Sequence, residues 1–262
     1  MRVLFLGDVV GKPGRRAVCA VVPRLIDREQ VDLVIANCEN VAGTTGVDPK
    51  SARELLDAGV HVLTSGNHVW REKAIIEFIE HEPRLLRPAN FPPMVPGRGW
   101  TVRETADGTP VAVVNLIGRV FMDSVDCPFR VAEQLLPELQ GRARVIVVDM
   151  HGEATSEKGA MAWFLTGKVS AVLGSHTHVQ TADERVLPGG TAYITDVGMC
   201  GPTDSIIGVR QELVVRRFLT RMPVKFEVAG GPAMLHGVLV DIDAETGRAL
   251  AIRRVQELWS VA

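Results

Sequence analysis

"RVLFLGDVVGKPGRRAVCAVVPRLIDREQVDLVIANCEN", residues 2–40, decides how this chain folds. An apolar run over 2–7 stops at an acidic residue, Asp8. Pro13 suits the first turn of a helix, where its missing N–H would have no partner anyway. Residues 13–29 then read as a helix, and "VDLVIAN", 31–37, as a second buried strand. Strand, helix, strand lays two parallel strands side by side through a right-handed crossover. The same rhythm continues with a helix over 48–59, a strand over 60–66 and a helix over 71–80, whose apolar residues keep helical spacing. The opening of the chain is therefore a βαβαβα series and predicts a largely parallel sheet.

Further along, 83–99 is proline-rich and reads as a rim or hinge. Residues 100–118 read as a hairpin turning at Asp107-Gly108. A helix near 129–140 leads to a strand over 143–150, and a helix over 156–167 leads to a strand over 169–175. From Thr191 on the chain looks richer in strands and ends in a hairpin-like stretch, 236–255. Parallel units followed by antiparallel strands predict an α/β fold with two packed mixed β-sheets flanked by helices, in a single domain over 1–262.

Composition narrows the function classes. Net charge is −2, which gives no bulk field to recruit a nucleic-acid backbone or an anionic membrane, so neither a stable nucleic-acid complex nor membrane binding is expected. No apolar stretch approaches the roughly 20 residues of a membrane helix. Asp8 interrupts the first apolar run too early for a signal peptide, so a cytoplasmic location is expected. The four cysteines are scattered with no CxxC pair, which argues against a thiolate zinc site and a disulfide framework. Cys38 lies beside Glu39, but strand alternation should turn it to the other face. The sequence does not decide the oligomeric state; the proline-rich loop and the C-terminal strands offer surfaces for a homo-oligomer.

Open α/β sheets bind ligands beyond the carboxyl ends of their strands. The first strand ends at Asp8, the second at Glu39-Asn40, the third at Asn67-His68, a later one at His151, and the 169–175 strand at His176-Thr177-His178. Four of the seven histidines, His68, His151, His176 and His178, fall in this set. Each has a bland reading. Asp8 could be a turn or cap residue, Glu39 and Asn40 solvated loop residues, Asn67 a left-handed turn, and a lone histidine structural. Their joint occurrence at the same ends of separate strands favours one shared site. Oxygen and nitrogen donors without thiolate suit iron, manganese or zinc. They outnumber the three or so ligands of a single catalytic ion and fit two ions sharing a carboxylate.

With "GD" at 7–8, "GNH" at 66–68, His151 after a strand and "GSHTH" at 174–178, the chain resembles the calcineurin-like metallophosphoesterase superfamily. That superfamily is a four-layer sandwich of two mixed sheets and flanking helices around a dinuclear metal centre. Three positions depart from its pattern: Val10 replaces a ligand histidine, Glu39 a bridging aspartate, and Val69 the acidic residue after GNH. Together with "ANCENVAGTTG", "NLIGRVFM" and "HGEATSEK", these departures make the sequence similar to the bacterial YmdB-like metallophosphoesterases over nearly its full length. The resemblance implies hydrolysis of a small-molecule phosphodiester, a 2′,3′-cyclic nucleotide, at two divalent or trivalent ions, iron with manganese as the alternative. It implies Asp8, Glu39, Asn40 and His178 at one metal, Asn67, His151 and His176 at the other with Glu39 bridging, a metal-bridged hydroxide as nucleophile, and His68 as general acid.

Because Val69 cannot orient His68, another residue must; Glu72 one turn on could reach it, though a solvated Glu72 is the better reading. Thr44 and Thr45 could bond substrate or merely shape their loop; Phe121 and Met122 could wall a base groove or sit in the core; Arg119 could meet phosphate or form a surface ion pair. Rival readings remain. A phosphate-binding loop at "GDVVGKP" is one residue short and has Pro13 where Ser or Thr should stand. An amidohydrolase would carry its His-x-His early and give GNH no role. A metallophosphatase or nucleotidase would use the same centre, and a regulatory metal-containing binding protein would have no need of His68 as a proton donor.

Overall fold

The computed structural model describes residues 1–260. Within them, thirteen strands and six helices build two sheets and their covering layers. The first strand, β1 (Arg2–Leu6), is buried beyond its first residue. The short β2 (Asp8–Val9) follows, then α1 (Gly11–Glu29), which turns Ala17, Val18, Val21, Val22 and Leu25 to the sheet at helical spacing. The parallel strands β3 (Leu33–Asn37) and β4 (Val62–Thr64) flank α2 (Pro49–Asp57). That helix starts as the sequence dictates, with Pro49 in the first turn and the Asp48 carboxylate accepting from Ser51 N at 3.0 Å.

The next helix, α3 (Ile75–His81), begins later than the 71 expected from apolar spacing. Residues 66–72 are used in tight turns instead: Val69 N donates to Gly66 O and Arg71 N to His68 O. The expected hairpin forms as antiparallel β5 (Trp100–Glu104) and β6 (Pro110–Ile117). The helix α4 (Pro128–Arg142) leads to β7 (Val145–His151), and α5 (Thr155–Leu165) to β8 (Ala171–Ser175). The tail holds β9 (Arg185–Leu187), β10 (Thr191–Ile194), β11 (Met199–Pro202), β12 (Ala233–Ile242) and β13 (Ala249–Trp259). It also holds a helix that the sequence reading did not anticipate, α6 (Gln211–Thr220).

The first sheet runs β2-β11-β12-β1-β3-β4, with β13 paired to β12; the second runs β5-β6-β7-β8-β10-β9. Each is mixed: β1, β3 and β4 are parallel, as are β6, β7, β8 and β10, while β12 and β13 run antiparallel. Between the sheets lie Val3, Phe5, Leu33 and Ile35 from one and Val113, Val147, Leu173 and Ile194 from the other, all at 1% exposure or less. Two further apolar layers lie under the helices, so the order is helices, sheet, sheet, helices.

The register sets the strand tips level. Asn37 faces Thr64 across β3 and β4, and His151 faces Ser175 across β7 and β8. The proline-rich stretch is no hinge. Leu85 and Leu86 are fully buried, and buried Asn90 donates to the carbonyls of Ile117 and Asp126 at 2.8 and 2.9 Å. Among the described residues no helix is long and apolar enough to cross a membrane.

Candidate metal centre

All eight residues singled out in the sequence meet at one edge of the two sheets. Asp8 stands in β2, pinned by Asp8 N to Gly198 O, 3.2 Å. Glu39 and Asn40 follow β3, where Glu39 N donates to Asn37 Oδ1 at 3.1 Å. Cys38 between them is buried in the layer beneath the helices, as strand alternation requires. Asn67 and His68 come from the turn after β4, and His68 N donates to Glu39 Oε2 at 3.0 Å. Gly66 tolerates no side chain, because a Cβ there would enter the His151 imidazole and the Glu39 carboxylate.

His151 ends β7 and is fully buried. The 176–178 segment bends back on itself. His176 has φ +100° and His178 φ +65°, conformations L-residues seldom adopt unless the surroundings impose them.

The donors form two lobes that share Glu39. Around His151 Nε2 lie His176 Nδ1 at 3.1 Å, Asn67 Oδ1 at 3.2 Å and Glu39 Oε1 at 3.4 Å. In the other lobe His178 Nε2 lies 3.7 Å from Asp8 Oδ1. The Asn40 Nδ2 amide, a hydrogen-bond donor rather than a metal ligand, lies 3.2 Å from His178 Nε2 and donates to Glu39 Oε1 at 3.4 Å, so Asn40 would meet an ion through its Oδ1. Ligand atoms of Glu39, His151 and His176 all fall within 4.8 Å of one another, close enough to hold one cation. His68 is beside both lobes, its Nδ1 3.0 Å from Asn40 Oδ1 and 3.2 Å from Glu39 Oε1.

The electrostatics fit a cation. Asp8 Oδ1 is buried without a hydrogen-bond partner among the described residues, an arrangement that is costly unless something positive meets it. Burial raises the Asp8 carboxyl, against the pull of His178 and His151. Burial also opposes ionisation of Glu39, but His151 and His68 outweigh it and hold Glu39 well below the usual carboxylate range. Burial disfavours the His151 imidazolium, yet Glu39, Asp8 and Asp149 push it up to about 9. Burial and the neighbouring His151 drive His176 down to about 3, so it offers a lone pair at neutral pH. Without metal, a proton on His151 supplies the positive charge that the carboxylates require.

Behind the donors lies a buried polar layer that the sequence reading missed. Asp149 Oδ1 accepts from Ser175 Oγ at 2.6 Å, and Ser175 Oγ is 3.0 Å from His151 Nδ1, which fixes that ring. Thr64 Oγ1 and Asn37 Nδ2 donate to Asp149 Oδ2. Burial, against His151 and these hydrogen bonds, pushes the Asp149 carboxyl up to about 6. A second support is the fully buried pair Lys158 Nζ–Asp196 Oδ2, 2.8 Å. Asp196 Oδ2 also accepts from Thr177 N at 3.0 Å and Thr177 Oγ1 at 2.7 Å, and Oδ1 from Gly198 N at 2.8 Å. Thr177 sits between the two strained histidines, so this carboxylate holds their loop.

The centre opens into a cleft of about 930 Å³. Thr44 and Thr45 line it with His68, His176 and His178, and so do Ile207, Phe218 and Phe226. Glu153 at the rim lies 3.2 Å from His176 Nε2. Glu72 is exposed and packs over Gly46, in line with the solvated reading, so Asn40 and Glu39, not Glu72, hold His68. Other expectations fail here. Phe121, at φ +60°, is 89% exposed, neither in the core nor on the cleft. Met122 is half-buried, also off the cleft. Arg119 forms no ion pair among the described residues; its Nη2 meets Cys127 Sγ and its backbone N–H donates to Glu157.

Known proteins share this architecture. A 2′,3′-cyclic-nucleotide 2′-phosphodiesterase of Bacillus subtilis (strain 168) is 49% identical over 255 residues, covering 97% of this chain and 96% of its own. A crystal structure of a hypothetical protein from Thermus thermophilus matches with TM-score 0.92 and 46% identity, covering 99% of both chains. A crystal structure described as a novel phosphatase of Mycoplasma pneumoniae matches with TM-score 0.92 and 35% identity, covering 99% of this chain and 94% of its own. The fold of this chain is the two-sheet metallophosphoesterase sandwich. A family model for YmdB-like proteins matches residues 4–255, and the chain belongs to the YmdB-like family.

Proposed function

We propose that the protein is a dinuclear-metal phosphodiesterase that hydrolyses 2′,3′-cyclic nucleotides in the cytoplasm, acting as a single domain. The observation that carries this reading is a pair of donor lobes sharing one buried carboxylate, in a chain half identical to an enzyme named for that reaction. Asp8, Asn40 and His178 would hold one ion, Asn67, His151 and His176 the other, and Glu39 would touch both. The donor set accepts either iron or manganese; iron is taken first because the resemblance to the YmdB-like family implies it. The chemistry supplied by bound ions is Lewis-acid polarisation of the phosphoryl oxygens and a hydroxide nucleophile near neutral pH.

The chain's own residues orient the substrate and move the proton. As the P–O bond to the ribose 2′ oxygen breaks, that oxygen takes up charge and requires a proton; His68 lines the cleft and donates it. Its Nδ1 is engaged by Asn40 and Glu39, which leaves Nε2 as the nitrogen for substrate and fixes the ring plane. The product keeps its phosphate on the 3′ oxygen.

The test is a substrate panel of 2′,3′-cyclic AMP, 3′,5′-cyclic AMP and a simple monoester, run on chelator-treated protein and on protein reloaded with iron or manganese. Metal-dependent turnover of 2′,3′-cyclic AMP is expected. Preference for the monoester would support the second reading, a metallophosphatase, which the description of the Mycoplasma relative favours. No turnover of any ester by metal-loaded protein would leave a regulatory binding protein.

A further inference from the structure

One wall of the cleft has a composition unlike the rest of the chain. Residues 213–226, "LVVRRFLTRMPVKF", carry four cations, Arg216, Arg217, Arg221 and Lys225, and no acid. The helix α6 buries only Val214. Leu213 is half-buried and the remaining apolar residues are open to solvent: Phe218 is 73% exposed and Leu219 80%, and Met222 just beyond is 62% exposed. The acids nearest in sequence, Glu212 and Glu227, are both taken by Arg210. Among the described residues no carboxylate pairs with any of the four cations.

This segment is continuous with the metal centre. Arg217, Phe218, Arg221 and Phe226 line the same cleft as His68 and His178. Arg217 Nη1 donates to the Arg221 carbonyl at 2.9 Å, which ties the two arginines together at the helix end. His178 Nδ1 lies 3.0 Å from the Ile207 carbonyl, which joins this wall to the donor shell. The cleft's carboxylates, Glu39 and Glu153, are at the metal end, where each faces a histidine. A cyclic phosphate seated on the metals would leave the arginines without an anion to meet, and the volume is at the upper end for a single small ligand.

We propose that α6 and the segment after it form a track for the nucleotides preceding the scissile phosphate, so that the preferred substrate is a single-stranded oligoribonucleotide ending in a 2′,3′-cyclic phosphate. The proposal rests on the phosphodiesterase reading above. Interleaved aromatics and arginines are what a single strand requires: faces on which successive bases stack, and guanidinium groups for the phosphates between them. Charge complementarity selects this occupant over a second copy, whose own α6 would bring four more cations to the same face. The net charge of the whole chain conceals the segment because it averages over every surface.

The test compares kcat/KM for 2′,3′-cyclic AMP with that for a tetra-adenylate carrying the same cyclic end, on full-length metal-loaded protein. The tetranucleotide is expected to be favoured by on the order of tenfold or more, with a log–log salt slope near −1.4 if two phosphates are met. The pair Arg217→Gln and Arg221→Gln should lower the ratio of the two kcat/KM values on the order of tenfold, as should Phe218→Ser; unchanged melting curves show that each variant folds. Equal kcat/KM for the two substrates, or variants that lower both in proportion, would overturn the track while leaving the reaction intact. No hydrolysis of 2′,3′-cyclic AMP alongside turnover of another ester would overturn the reading of the reaction instead. A dimer in sedimentation that Phe218→Ser dissociates, with the ratio unmoved, would assign the face to a second copy and also overturn the track.

Discussion

Replacing Asp196 by alanine should damage the protein more than replacing Lys158 by methionine, although the two residues form one ion pair. Both are fully buried, so removing either strands a charge, and breaking such a pair costs about 3–5 kcal/mol. The two losses differ in what remains. In Lys158→Met the Asp196 carboxylate keeps Thr177 N, Thr177 Oγ1 and Gly198 N as donors, so the cost should sit near about 3 kcal/mol. In Asp196→Ala the ammonium keeps no acceptor among the described residues, and Thr177 loses both anchors, so about 5 kcal/mol is expected. Freed at Thr177, the chain no longer has to hold His176 and His178 at positive φ, and metal affinity should fall 10- to 100-fold. Urea unfolding of chelator-stripped protein gives the stabilities, and competition with a chromophoric chelator gives the affinities. If Lys158→Met proves the more damaging, or if Asp196→Ala binds metal as wild type does, the carboxylate does not hold this loop.

His68→Ala should retain its metal but lose turnover by roughly 10²–10⁴-fold, read from kcat beside metal content; a wild-type rate would remove His68 from proton transfer. Glu39→Ala should lose both ions together with activity, and two ions per chain by elemental analysis would mean that the lobes do not depend on it. The pH dependence of the metal-free protein follows from His151, raised from an ordinary 6.5 to about 9. A base raised on folding stabilises fully below its unfolded pKa, so up to about 3 kcal/mol should be lost as pH climbs from 6.5 through 9. Metal displaces that proton, so affinity should rise about tenfold per pH unit over the same window; a flat melting temperature and flat affinity would contradict the charge assigned to His151.

The sequence exposed the candidate donors because each stands at or just past the end of an apolar run, and strands are legible as such runs. Asp8, Glu39, Asn67, His151 and His176 each mark where such a run stops, and parallel pairing then brings those ends level. What the runs conceal is the layer behind them. Asp149 lies inside an apolar strand and reads as an interruption rather than a partner of Ser175. Lys158 sits in a helix where Trp163 is 52% exposed and Lys158 is buried, the reverse of what polarity suggests, because its partner arrives from residue 196. Asp196 itself follows β10 and could have been found by the same search for strand ends. The helix α6 escaped although Val214, Val215, Phe218 and Leu219 share one face, because Arg210 gives no side-chain cap and the strand-rich tail around it drew the reading. Its hydrophobic residues answer to the cleft and the solvent, not to the core.

The placement of β1 between β12 and β3 has a consequence for how the protein is made. Every donor has left the ribosome's catalytic centre by residue 178, yet Gly7 N bonds His236 O at 3.1 Å and Asp8 N bonds Gly198 O at 3.2 Å. The first donor translated is thus seated by some of the last strands to emerge. A nascent chain stalled near residue 190 would carry all the candidate ligands without the strands that seat Asp8, so any metal ion should enter only after synthesis is nearly complete.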